Sequence, residues 1–100
     1  MIIVAGTITF DPANQETVVA AAQKVATATR AEDGCISYEF FADLVQPGRL
    51  HLFEEWEEES HLLAHFEEPH FLEYGAVLAG ADLRSRDITR YHVSSHGPNR

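Results

Sequence analysis

The chain has 100 residues, of which 45% are hydrophobic and 23% are charged. That size and composition predict one globular domain and exclude intrinsic disorder, because apolar residues occur throughout the sequence. Sixteen acidic residues against seven lysines and arginines give a net charge of −9, which excludes nucleic acid and anionic membrane surfaces as expected partners.

The single cysteine and the first ten residues restrict the chemistry and the location further. Cys35 alone excludes an intrachain disulfide and cannot form a structural zinc site by itself, so we interpret it as a small apolar strand residue. Residues 1–10 lack the basic flank and cleavage site of a signal peptide, and they are too short and too polar to span a bilayer. We therefore expect a cytoplasmic protein.

The chain opens with a predicted strand followed by a predicted helix. Residues 1–10 are apolar on both alternating faces, which is typical of a strand inside a sheet. Asp11 and Pro12 are typical of a helix start, with the aspartate as N-cap and the proline in the first turn. Apolar residues then recur at helical spacing, and Gly34 suits the end of this helix.

Two further strands follow in the middle of the chain. Residues 35–44 and 50–56 are rich in apolar and aromatic side chains, which favours strands. Residues 46–48, Gln-Pro-Gly, have the composition of a tight turn. We therefore predict an antiparallel hairpin.

Two helical segments separated by a break come next. Residues 58–68 predict a short helix whose inward side chains are Leu62, Leu63 and Phe66. Pro69 interrupts the pattern, and residues 70–78 predict a second helical piece. We expect a bend at this proline.

The chain closes with residues 82–93, whose alternation predicts an edge strand, and with a tail, 94–100, that we expect to fray. The resulting βαββαβ order predicts an α+β, ferredoxin-like sandwich as one domain, with the first and third strands central. Two helices cover only one face of such a sheet, although the strands carry apolar residues on both. A second copy is the simplest cover, so we predict a homodimer.

Three of the six histidines lie in the predicted helical region. His61 and His65 are four residues apart, a spacing that suits a metal, but no HExxH pattern or nearby cysteine supports one. His65 and His70 flank the Pro69 break, where a bent helix over a sheet leaves a cleft. Imidazole there exchanges protons near neutral pH, whereas the alternative is that these histidines cap helix ends or fill space.

Aromatic residues are the candidates for a binding pocket for a flat apolar ligand, with an ordinary core as the alternative. They are Tyr38, Phe40, Phe53, Trp56, Phe66, Phe71 and Tyr74. The acidic run within residues 54–59 is interpreted as a solvated strand end and helix start, where the helix dipole favours carboxylates. No phosphate-binding glycine loop, Ser-His-Asp signature or dinucleotide fingerprint is present.

Four motifs resemble the antibiotic biosynthesis monooxygenase family, and within it the small quinol monooxygenases. They are, in chain order, GCISYE at 34–39, HLFEEW at 51–56, AHF at 64–66 and PHF at 69–71. The likeness extends from the first strand to Tyr91. It implies a dimeric α+β barrel, in which two ferredoxin-like units pack sheet to sheet.

The same resemblance implies an activity and a set of site residues. Members oxidise a hydroquinone or a polycyclic phenol to a quinone with O2, and they use no flavin, haem or metal. His65 and His70 match the family's histidine motif and Trp56 matches its strand-ending tryptophan, which implies His65 as the proton-transfer group. The aromatic set then forms the walls of a water-poor pocket for a small aromatic substrate.

Other functions stay open for this fold. One alternative is a non-catalytic dimeric protein that binds a small ligand. Another is a haem or metal enzyme, although the haem-degrading branch has asparagine, tryptophan and histidine where this sequence has Thr7, His65 and Gly75. We therefore expect neither haem nor metal.

Overall fold

The computed structural model describes all 100 residues and contains four strands and three α-helices. In chain order the elements are β1 (Ile2–Phe10), a 3-10 helix (Pro12–Asn14), α1 (Gln15–Thr29), β2 (Cys35–Ala42), β3 (Arg49–Trp56), α2 (Glu59–His65), α3 (Pro69–Gly80) and β4 (Leu83–His92). Residues 93–100 form neither helix nor strand. The predicted βαββαβ order is confirmed, with the second helical region divided into α2 and α3.

The four strands form one antiparallel sheet in the order β2-β3-β1-β4. The first and third strands are therefore central, as predicted, and β4 lies at an edge. None of the helices is long and apolar enough to cross a membrane.

The residues predicted to begin and end α1 do so through specific local contacts and backbone conformations. Asp11 Oδ1 accepts a hydrogen bond of 3.0 Å from the Ala13 amide, and Pro12 opens the 3-10 turn that leads into α1. Gly34 has a φ of 78°, a conformation that strongly favours glycine, and it lies directly before β2. A side chain there would also overlap the ring of His61, so Gly34 fixes the turn between α1 and β2.

One face of the sheet packs against α1 and α3 and forms the core. The strand residues that alternate onto this face are buried: Ile2, Val4, Ile8, Phe10, Tyr38, Leu50, Leu52 and Trp56. From α2, Leu62 is buried as predicted, but Leu63 is 49% exposed, so its predicted inward position was wrong. The helical spacing that directs Leu62 inward directs His65 inward with it, and His65 is 1% exposed.

The opposite face of the sheet, here called the open face, is covered by no helix. Its partly or largely exposed apolar side chains are Ile3, Ala5, Phe41, Phe53 and Tyr91. Threonines and charged side chains occupy other positions on the same face. The open face is therefore a mixed surface with an apolar centre.

Candidate functional site

A cavity of about 370 Å³ lies between α3 and the helix-covered face of the sheet. Fourteen residues line it, eleven of them hydrophobic, and this composition is typical of a site for a small ligand. The predicted pocket residues on its wall are Tyr38, Phe40, Phe66, Phe71 and Tyr74. Another groove, beside Glu57–Glu59, has a volume of about 440 Å³ but contains no Phe, Tyr or Trp.

Glu54 is the only acidic side chain in the cavity wall. It lies on β3 between Leu52 and Trp56, and it is 7% exposed. The Trp56 Nε1–H donates a hydrogen bond of 3.0 Å to Glu54 Oε1. Burial raises the pKa of Glu54 to about 7, the Trp56 hydrogen bond offsets part of that rise, and the charge of Glu32 adds to it. This carboxyl therefore changes its charge near neutral pH, which suits a general base.

Two tyrosines, Tyr38 and Tyr74, line the cavity together with Glu54. Burial raises the pKa of Tyr38 above its usual range, and the negative charge of Glu54 raises it further. Burial also raises the pKa of Tyr74, while the charge of Arg86 lowers it and that of Glu54 raises it by smaller amounts. Both hydroxyls stay protonated at neutral pH, so they are able to donate hydrogen bonds to a ligand oxygen.

A second polar cluster joins three segments of the chain beside the cavity. Glu32 Oε2 accepts hydrogen bonds from His65 Nδ1 at 2.8 Å and from His70 Nε2 at 2.6 Å. Glu32 follows α1, His65 ends α2, and His70 lies in the first turn of α3. These bonds therefore hold α2 and α3, the two helices that flank the bend before Pro69, at a fixed angle.

His65 lies inside the protein, behind the cavity wall. Its ring centroid is 4.8 Å from that of Phe71, 5.1 Å from Trp56 and 5.3 Å from Tyr38. Burial lowers the pKa of His65, against the opposing effect of the hydrogen bond to Glu32, so the imidazole is neutral at neutral pH. Since the Glu32 carboxylate only accepts, the proton lies on Nδ1, and Nε2 is buried with no hydrogen-bond partner.

The donor set of Glu32, His65 and His70 is that of a two-histidine, one-carboxylate metal site, and the three donor atoms lie within 4.8 Å of one another. A metal on His65 Nδ1 would move the ring proton to Nε2, where the buried surroundings offer no acceptor. The residues therefore fit a hydrogen-bonded cluster better than a metal centre. That the protein needs no metal stays a prediction.

The placement of Phe53 on the wall was wrong. Side chains alternate along β3, so Leu52 and Glu54 face the helices and Phe53 faces the other way. Phe53 lies on the open face and is 37% exposed.

Three further predicted site residues lie near the cavity but do not line it. Trp56 is fully buried and reaches the cavity only through its hydrogen bond to Glu54. His65 and His70 instead contact Glu32.

Cys35 is excluded as a nucleophile at neutral pH, because burial raises the pKa of its thiol to about 11.

The fold and the cavity together define a ferredoxin-like α+β protein with an aromatic pocket and one buried carboxyl. Comparison with known proteins identifies the family, because the model of the antibiotic biosynthesis monooxygenase family matches residues 1–77. The chain belongs to this family, as the sequence motifs indicated.

Individual relatives agree with that membership. The chain is 29% identical over 96 residues to YcnE of Bacillus subtilis, which bears a provisional monooxygenase name, and the match covers 94% of this chain and 99% of YcnE. It is 37% identical over 73 residues to the uncharacterized protein sll1783 of Synechocystis. That match covers 73% of this chain but only half the length of sll1783.

Solved structures confirm the fold. A crystal structure from Deinococcus radiodurans, provisionally named an antibiotic biosynthesis monooxygenase, matches with a TM-score of 0.92 and 26% identity. The match covers all of this chain and 99% of that one. The ferredoxin-like arrangement is therefore shared over the full length.

Proposed function

We propose that this protein is a cofactor-independent monooxygenase that oxidises a hydroquinone or a polycyclic phenol with O2 inside the aromatic cavity. The observation that carries the proposal is Glu54, a buried carboxyl in an apolar wall whose pKa of about 7 makes it a base at neutral pH. Its ionised form accepts the proton of a substrate hydroxyl.

In the proposed reaction the substrate supplies all of the electrons. Loss of the proton to Glu54 gives an electron-rich anion, which transfers one electron to O2. The substrate radical and superoxide then combine to form a carbon–oxygen bond, and the peroxide anion takes the proton back from Glu54 to give a hydroperoxide. Cleavage of the O–O bond of the resulting hydroperoxide leaves one oxygen as the quinone carbonyl and releases the other as water. For an anthrone, the ring CH2 and O2 become a carbonyl and one water.

The protein contributes position, proton transfer and exclusion of water. Trp56 fixes the Glu54 carboxyl by its hydrogen bond, and we expect the Tyr38 and Tyr74 hydroxyls to orient a substrate oxygen. The surrounding hydrophobic wall keeps water from the reactive anion and holds a flat ring beside the base.

The Glu32–His65–His70 cluster has a positioning role in this proposal. It sets the angle of α3 and packs His65 behind Tyr38 and Phe71, so it holds part of the wall. The sequence-based expectation that His65 itself takes the proton stays a competing prediction. The two assignments differ in which variant loses the pH dependence.

The proposal includes a homodimer formed through the open face. Phe41 and Tyr91 are 55% and 51% exposed there, and Phe53 lies between them on a central strand. Packing of two such faces removes these aromatic rings from water and gives the dimeric barrel that the family resemblance implies.

The test is oxygen uptake by chelator-treated protein with hydroquinones, dihydroxynaphthalenes and anthrones, corrected for autoxidation. We expect kcat/KM to rise with pH through about 7, because only ionised Glu54 accepts the proton. Glu54→Gln should lower kcat/KM by about 100-fold or more. Glu57→Gln, which changes an exposed residue, should leave it unchanged.

Two outcomes contradict the proposal. In the first, Glu54→Gln keeps the wild-type kcat/KM and His65→Gln loses the pH dependence instead. That result would assign proton transfer to His65. No uptake above autoxidation with compounds that do bind assigns the protein to the alternative class, a non-catalytic small-ligand-binding protein of the same fold.

A further inference from the structure

Arg86 is a cation without a carboxylate partner at the exposed edge of the cavity. Its neighbours on β4 are both paired: Arg84 with Asp11 and Asp82, and Arg90 with Glu59 at 3.1 Å. Arg86 forms no salt bridge, although acidic residues outnumber basic ones by sixteen to seven in this chain. Of the seven lysines and arginines, only Arg86 and the terminal Arg100 form no salt bridge, and Arg86 lies beside the hydrophobic cavity.

Strand register places Arg86 and Glu54 at opposite ends of the cavity. Val4 of β1 pairs with Glu54, and Ile8 of β1 pairs with Arg86 on the other side. Four residues along a strand and two strand spacings across the sheet separate the two Cα atoms by about 16 Å. Tyr74 also lines the cavity, close enough to both Arg86 and Glu54 for their charges to act on its hydroxyl.

The two ends differ in exposure and in charge. Glu54 is 7% exposed at the inner end, whereas Arg86 is exposed at the outer end. A flat molecule that spans the hydrophobic wall would therefore place one end against a base and the other against a guanidinium. A guanidinium binds a carboxylate specifically, through two parallel hydrogen bonds.

We propose that the cavity selects an aromatic acid, a flat ring system with a phenolic hydroxyl at the Glu54 end and a carboxylate that pairs with Arg86 at the other. The proposal rests on the proposed function for the site, and it names the substrate class that the function leaves open. The acidic surface elsewhere repels anions, so Arg86 supplies the local attraction that such a ligand needs.

The experiment compares two ligands that differ by one carboxylate and that resist autoxidation: 6-hydroxy-2-naphthoate and 2-naphthol. Calorimetric titration at about pH 7.5 measures both dissociation constants for the wild type, Arg86→Gln and Arg84→Gln. We expect the wild type to bind the acid about tenfold more tightly than the naphthol. Arg86→Gln should abolish that preference, and the Arg84→Gln control should keep it.

Equal affinity of the wild type for the two ligands would overturn the inference, and so would a preference that survives in Arg86→Gln. Because binding is measured without turnover, the result does not depend on oxygen chemistry. A carboxylate preference in a protein that consumes no O2 would refute the monooxygenase and keep the ligand class. Turnover without the preference would keep the monooxygenase and refute the ligand class.

Discussion

The Glu54 carboxyl lies in surroundings that disfavour its charge. An apolar residue would fit the alternation of Leu52 and Trp56 along β3, yet this position holds an acid whose only hydrogen bond comes from the Trp56 indole. Burial of a carboxyl with so little compensation destabilises the folded state once the group ionises. Such an arrangement is typical of a functional site, where activity is kept at the expense of stability.

A first prediction concerns stability against pH. The pKa of Glu54 is raised from 4.5 in the unfolded chain to about 7 in the folded one. Between these values the unfolded state releases the proton while the folded state keeps it, so stability falls as pH rises. The loss reaches about 3 kcal/mol above pH 7 and is absent below about pH 4.5.

Urea unfolding of the wild type and Glu54→Gln, at about pH 5 and pH 8, measures this effect. The variant should gain stability relative to the wild type as pH rises, by roughly 2 to 3 kcal/mol. Glu57→Gln, at an exposed position, serves as the control. A difference between wild type and Glu54→Gln that is the same at both pH values would show that Glu54 titrates normally.

The sequence contained the signal for Glu54, but the acidic run obscured it. Several glutamates in a row indicate a solvated segment, and that interpretation is correct for Glu57, which is exposed. The period of two along Leu50, Leu52 and Trp56 places Glu54 on the buried face instead. The same period of two also places Phe53 on the opposite, open face of the sheet.

At the scale of elements, the sequence predicts the strands and α1 because their periodicity is regular over eight residues or more. The region around Pro69 is less predictable, because α2 has only seven residues and offers less than two full turns of pattern. A histidine such as His65 is expected at the surface, yet this ring is buried because the Glu32 carboxylate accepts a hydrogen bond from its Nδ1–H. Glu32 is distant in sequence, so no local pattern reveals this pair.

A second prediction concerns the contact between β1 and β4. A Cβ atom on Gly6 would overlap the Asp87 carbonyl oxygen of β4, which is backbone and cannot turn aside. We expect Gly6→Ala to lower the free energy of unfolding by about 1 to 3 kcal/mol through strain in this strand pair. Thermal or urea unfolding measures the change.

The matched control for this substitution is Gly75→Ala in α3. A Cβ atom at Gly75 has no neighbour within 4 Å, so the helix should gain stability, by up to about 1 kcal/mol. Opposite signs for the two glycines support the close approach of β1 and β4. A neutral Gly6→Ala variant would contradict it.

At the scale of the whole molecule, a third prediction concerns the proposed dimer contact through the open face. We expect sedimentation equilibrium of the wild type to give the mass of a dimer. Phe53→Glu should give a monomer, because two such charges would face each other across the contact. Leu63→Glu introduces the same charge on the exposed side of α2, away from the open face, and should stay dimeric. A monomeric wild type would contradict the sheet-to-sheet contact.

Oxygen incorporation shows whether substrate and O2 react in the cavity without an added cofactor. Chelator-treated protein is given an anthrone under 18O2, and the product is analysed by mass spectrometry beside a protein-free sample. We predict one labelled oxygen per quinone, one O2 consumed per product, and loss of both above the background in Glu54→Gln. Unlabelled quinone with release of hydrogen peroxide, or labelling that appears only after a metal is added, would contradict it.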